Sequence, residues 1–181
     1  MSKKNRDDII SARRQRWTEK WLDALMQTYP DESACFFKDT TDPFANPVGA
    51  AMKKGITDLF DVVTSEAFDP EAAHAALEPM IRVRAIQEFS PSQAVGFVTE
   101  IKSIIRRDAG GSKEAHPQAE KLQQIADHAD RALLTAFDIY VNCKKQVYQL
   151  RARQARDSVS QLLIKKELIS ELPEIDPALS E

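Results

Sequence analysis

An all-α bundle of about five or six helices, closed by a long C-terminal helix, is the fold that this sequence predicts. Three observations predict it. Between Pro117 and Pro173 there is no glycine or proline, and apolar residues recur there at steps of three and four. Upstream, Asp69-Pro70 and Ser90-Pro91 each put a capping residue before a proline, and Pro47 stands where another helix begins. No stretch alternates apolar and polar residues between turn signals; Ile81-Arg82-Val83-Arg84 does so only briefly, inside a helical window.

Taken in order, Asp7 to Thr28 reads as an amphipathic helix. Ile10, Trp17, Trp21 and Leu25 share one face, with arginine and lysine opposite. Two tryptophans on one stripe carry a large apolar area, which reads as core. Tyr29-Pro30-Asp31 stops the helix. Ala34 to Pro47 is the least regular piece, with turn signals at Asp42-Pro43 and Asn46-Pro47, and Phe36, Phe37 and Phe44 are expected to pin it to the bundle.

The second helix, about Val48 to Ser65, buries Ala51, Ile56, Leu59, Phe60 and Val63. Gly55 inside it costs roughly 1 kcal/mol relative to alanine, so close packing is expected there. The next helix opens at Asp69-Pro70 and runs to about Leu77. Pro79 either kinks it or starts another that carries Ile81, Ala85, Ile86 and Phe89. Arg82 and Arg84 lie close to Glu88, and an ion pair is expected, because a lone arginine is expensive to bury. Ser90 caps the following helix, with Gln93 placed to close a capping box. Ala94, Phe97, Val98, Ile101, Ile104 and Ile105 follow in helical register, and Asp108 to Pro117 reads as a flexible link.

The last helix carries two stripes. Leu122, Ile125, Ala129, Leu133, Ala136 and Tyr140 form the first, continued by Cys143, Val147 and Leu150. Tyr148, Ala152, Ala155, Val159, Leu162 and Ile169 form the second. One helix over Pro117 to Leu172 would be roughly 80 Å long, more than a compact domain of this size spans. The front half is therefore expected to be core, and the back half to project or to meet a second chain. Tyr148, Ala152, Ala155, Val159 and Leu162, with Arg151 and Arg156 beside them, are the candidate protein-contact residues. The reading is a helical domain over 1–158, the end of a projecting helix over 159–172 and a disordered tail over 173–181.

Composition narrows the function. The 181 residues carry a formal net charge of -3, which argues against a dedicated nucleic-acid binder. Basic residues gather at Lys144, Lys145, Arg151, Arg153, Arg156, Lys165 and Lys166, and the tail beyond is acidic. The basic run reads as a solvated helix face, or as a surface for an acidic protein or membrane headgroups. No secretory signal and no apolar run near ~18 residues is present, so a cytoplasmic protein is expected, with peripheral contact to a membrane complex left open. Cys35 and Cys143 lack metal spacing, and Cys143 reads as a small buried hydrophobe.

No phosphate loop, H-E-x-x-H, Cys-x-x-Cys or G-x-S-x-G occurs, so neither an enzyme nor a resident cofactor is expected. Glu71-Ala72-Ala73-His74 is a single E-x-x-H, whereas bundle di-iron sites need two of these and two further glutamates. His74, His116 and His128 leave a haem- or metal-binding sensor bundle as the alternative. His116 lies in the link, and His128 is expected at the solvent.

Three stretches carry a family resemblance. They are Phe37 to Gly49 (FKDTTDPFANPVG), Ile81 to Val95 (IRVRAIQEFSPSQAV) and Tyr140 to Arg151 (YVNCKKQVYQLR). Together they resemble the N-terminal domain of RsbRD-type RsbT co-antagonist proteins, bacterial stressosome regulators, over roughly Asp7 to Arg156. The resemblance implies a globin-like helical fold without haem, a homodimer, and a sensory or protein-contact role. In that family the domain usually precedes a phosphorylatable STAS domain. This chain is read as a stand-alone input module lacking it, with an unknown protein partner.

Overall fold

Each capping pair begins a helix, and at Asn46 the side chain that closes the cap also ties two helices together. The computed structural model describes residues 4–39, 42, 44–87, 89–108 and 119–166. These form seven α-helices and one 3-10 turn, with no strand among the described residues. They are α1 (Lys4–Met26), α2 (Asp31–Asp39), α3 (Pro47–Thr64), α4 (Pro70–Ile86), α5 (Pro91–Val95), α6 (Glu100–Asp108) and α7 (Ala119–Lys165), with the 3-10 turn at Gly96–Thr99. The all-α class is as expected. Most of the flexible link, His116 and the tail lie outside the described residues. The chain divides into two units, Met1–Cys143 and Lys144–Glu181, and α7 runs through the junction.

In the first unit, Trp17, Trp21 and Leu25 of α1 are buried with Met52, Ile56, Leu59 and Phe60 of α3 and Leu77, Met80 and Ile81 of α4. The tryptophans are core, as their spacing predicts. A Cβ on Gly55 would run into the Met80 side chain, so the glycine lets α3 and α4 approach closely. Pro79 sits inside α4, a single helix to Ile86; the proline neither ends it nor starts another. The front of α7 adds Ile125, Ala129, Ala132, Ala136, Ile139, Tyr140 and Cys143 to the core.

Two expectations fail around α2. Asp31 and Glu32 at its first turn and Lys38 at its last complement the helix dipole, and the segment is helical where irregular chain was expected. Of the three phenylalanines, only Phe37 packs against the core; Phe36 is exposed and Phe44 is 97% exposed. The connection is held by Asn46 instead. Its buried amide Nδ2 donates to the Phe37 carbonyl at 2.9 Å, and its Oδ1 accepts from the Gly49 N–H at 2.8 Å. One side chain thus satisfies an orphan carbonyl at the end of α2 and an orphan N–H at the start of α3.

The helix expected from Pro91 is interrupted. Ser90 and Gln93 form the capping box, but α5 lasts five residues before the 3-10 turn, and α6 resumes at Glu100. At its far end, Asp108 is a hub. Its carboxylate accepts from Arg13 and from the Trp17 indole Nε1 at 3.1 Å, and pairs with Arg16 at 3.1 Å. Burial pushes the Asp108 carboxyl up, but the Trp17 hydrogen bond and the charges of Arg13, Arg16 and Lys20 outweigh it, so its pKa lies below the ordinary value. A depressed carboxyl contributes stability above its unfolded pKa of about 3.9, lost as pH falls through the folded value. Asp108→Asn is therefore expected to lower stability at pH 7 and to flatten the loss on acidification below about pH 4, read from urea unfolding across pH.

Candidate functional site

Each of the three stretches quoted above contributes to one cluster, built around Arg84. On α4 it follows Met80 and Ile81 by four and three residues, the spacing that places all three on the buried face. Arg84 is 0% exposed. Its guanidinium carbon lies 4.2 Å from the centroid of the Phe89 ring, 5.0 Å from Tyr29 and 5.6 Å from Phe97. Nε donates to the Ala94 carbonyl at 3.0 Å and Nη2 to the Gln93 carbonyl at 2.7 Å. These carbonyls lie where the chain leaves α-helical hydrogen bonding for the 3-10 turn, so the arginine caps that break.

Desolvating a guanidinium costs several kcal/mol. Cation–π contacts of about 2 kcal/mol when desolvated, and charge-assisted hydrogen bonds, offset it here. No carboxylate among the described residues pairs with Arg84, and Glu88 lies outside them; Arg82 pairs with Glu78 at 3.1 Å. Arg84 Nη1 and the Tyr29 hydroxyl are both buried without a hydrogen-bond partner. Burial raises the Tyr29 pKa and lowers that of Arg84, and in each case the charge of the other works against the shift.

Tyr29 packs edge-on against Phe37 from the first stretch and Phe89 from the second. Tyr140 from the third donates its hydroxyl to the Phe89 carbonyl at 2.6 Å. Trp21 Nε1 donates to the Phe97 carbonyl at 2.7 Å. Beside this cluster, a groove of about 810 Å³ runs between α1 and the segment from Ser92 to Arg107. Lys20 and Arg107 line it together with Asp23 and Glu100, so its walls carry both signs of charge.

The two described histidines serve structure or face solvent. His74 is exposed, and so the E-x-x-H holds no buried ligand pair. His128 is buried, against expectation: Nδ1 donates to the Val63 carbonyl at 3.2 Å and the ring tilts against Phe68. It is a satisfied core histidine, because α7 turns it onto α3 and not away from it.

In the second unit, the candidate contact residues all lie on the exposed surface of α7. Tyr148, Val159 and Leu162 are 61%, 55% and 60% exposed, and Ala152, Ala155, Arg151 and Arg156 are exposed with them. At helical spacing the five apolar residues share one face. No helix among the described residues is long and apolar enough to cross a membrane.

Sequence reasoning missed Tyr29, Asn46 and Asp108, and did not foresee that Arg84 donates to the Gln93 and Ala94 carbonyls. For Arg84 a signal existed, since its spacing from Met80 and Ile81 puts it on the apolar face of α4. For Asp108, sited at a helix C-terminus against the dipole, no local signal points to α1.

No curated protein and no solved structure matches the chain. The family model for the RsbT co-antagonist protein rsbRD N-terminal domain matches residues 15–155, which include all of the Arg84 cluster and the larger part of α7. That match covers most of the sequence, and the chain therefore belongs to the rsbRD N-terminal domain family of RsbT co-antagonist proteins, a family of stressosome-type signalling domains.

Proposed function

We propose that the protein is a non-enzymatic cytoplasmic regulatory module that signals or docks through helix-mediated contact, with a second copy of the chain or another protein on the exposed stripe of α7. The single observation that carries this reading is the face made by Tyr148, Ala152, Ala155, Val159 and Leu162. Apolar residues at three- and four-residue steps are the pattern of a helix with a helical partner, and here they stand in solvent. The Arg84 cluster supports the reading from the other side. Its motif residues tie α4 to α5 through Arg84 and α7 to the Phe89 carbonyl through Tyr140, which suits a rigid platform better than a reaction centre.

Sedimentation velocity at micromolar concentration is expected to show self-association, and Val159→Glu to weaken it at least about tenfold, or about 1.4 kcal/mol. A monomer under all conditions, with Val159→Glu changing no interaction of the protein, would remove the reading.

A further inference from the structure

The stripe of α7 is not neutral. Across Lys144 to Lys166 seven cations face a single carboxylate, Asp157, a net charge of +6. Two copies meeting there would set +6 against +6, whichever way the helices ran. Like charges brought within a Debye length repel, most strongly at low salt. We infer that the tight occupant of this stripe is an acidic amphipathic helix of a partner protein, and that self-association is the weaker, salt-promoted alternative.

The inference rests on the contact reading above and names the chemistry of the partner. Charge complementarity selects the sign, because glutamates flanking an apolar seam would meet Lys145 and Arg156, which lie along one flank of the stripe at helical spacing. The centre of the stripe selects a helix over a lipid surface. Ala152 and Ala155 lie between Tyr148 and Val159, a small-residue stretch that lets another backbone approach closely. Helices that lie in a membrane interface instead carry Trp, Phe or Leu at such positions.

The test uses the full chain and a synthetic three-heptad peptide, with leucine at the seam and glutamate and alanine elsewhere; the control replaces each glutamate with lysine. Fluorescence anisotropy is expected to show that the acidic peptide binds and the lysine peptide does not. Affinity should fall at least about tenfold between roughly 50 and 300 mM NaCl. Lys145→Glu with Arg156→Glu should weaken binding about tenfold or more while the circular dichroism spectrum stays unchanged, and Val159→Glu should abolish it. Equal binding of both peptides, or of neither, overturns the inference. So does capture by phosphatidylserine vesicles that Val159→Glu does not disturb, or a dimer at about 20 mM salt that the acidic peptide cannot displace. If self-association responds to Val159→Glu while the acidic peptide fails to bind, the contact reading stands and the acidic occupant falls. If neither self-association nor peptide binding responds, both fall.

Discussion

Arg84→Ala is expected to destabilise the protein by about 3 kcal/mol, lowering the urea midpoint with little change in slope. The change removes two hydrogen bonds from a charged donor, each worth about 1.5–3 kcal/mol. It leaves the Gln93 and Ala94 carbonyls without that donor and opens a void among Tyr29, Phe89 and Phe97. Against these losses stands the relief of a buried charge, which keeps the sum well below the separate terms. Arg84→Met separates the parts. It fills much of the same volume without charge or donors, so a smaller loss, about 2 kcal/mol, isolates the hydrogen bonds. Alanine within about 1 kcal/mol of the parent would mean that the guanidinium does not hold the 3-10 turn in place.

Gly49→Ala is expected to cost about as much, for a different reason. A Cβ there would collide with the Asn46 amide and with the Phe37 carbonyl, and the latter is backbone that cannot swing aside. Overpacking costs about 1–3 kcal/mol, and displacing Asn46 breaks the clasp between α2 and α3, leaving buried polar groups unpaired at about 1–3 kcal/mol more. A combined loss of about 3 kcal/mol is expected in thermal or urea unfolding. Gly96→Ala provides the contrast. Gly96 has helical angles, φ -57° and ψ -30°, and a Cβ there meets nothing within 4 Å. Alanine at that position is expected to stabilise by about 0.4–1 kcal/mol, through the entropy of the unfolded chain. Equal effects at the two glycines would contradict the packing described around Asn46.

What could be read from the sequence was local. The caps at Asp69 and Ser90 and the tryptophan face of α1 all depend on residues within a turn or two of each other, and each is where its spacing put it. Gly55 likewise marks the close approach that its helical context implied. The failures are long-range. Phe44 looked like an anchor because phenylalanine usually is one, but Asn46, two residues on, carries the connection. A polar residue beside an apolar stripe is expected at the solvent, yet the His128 ring lies against Phe68 and its Nδ1 bonds the Val63 carbonyl. Arg84 finds its acceptors in carbonyls ten and nine residues ahead, where the chain changes helical type, a placement that no local spacing signals. The candidate contact stripe is different again. Its residues were found by spacing alone, since an unfilled face leaves the same periodic trace as a filled one.

The protein's two tryptophans both lie on α1, and each indole N–H has its own fixed acceptor: the Asp108 carboxylate for Trp17, the Phe97 carbonyl for Trp21. The molecule thus carries its own optical gauge. Emission from buried indoles is blue-shifted, and any loosening of α1 from α6 or from the 3-10 turn must show as a red shift without a label being attached. Protonating the carboxylate beside Trp17 should alter the light from one indole while the other stays a steady internal reference.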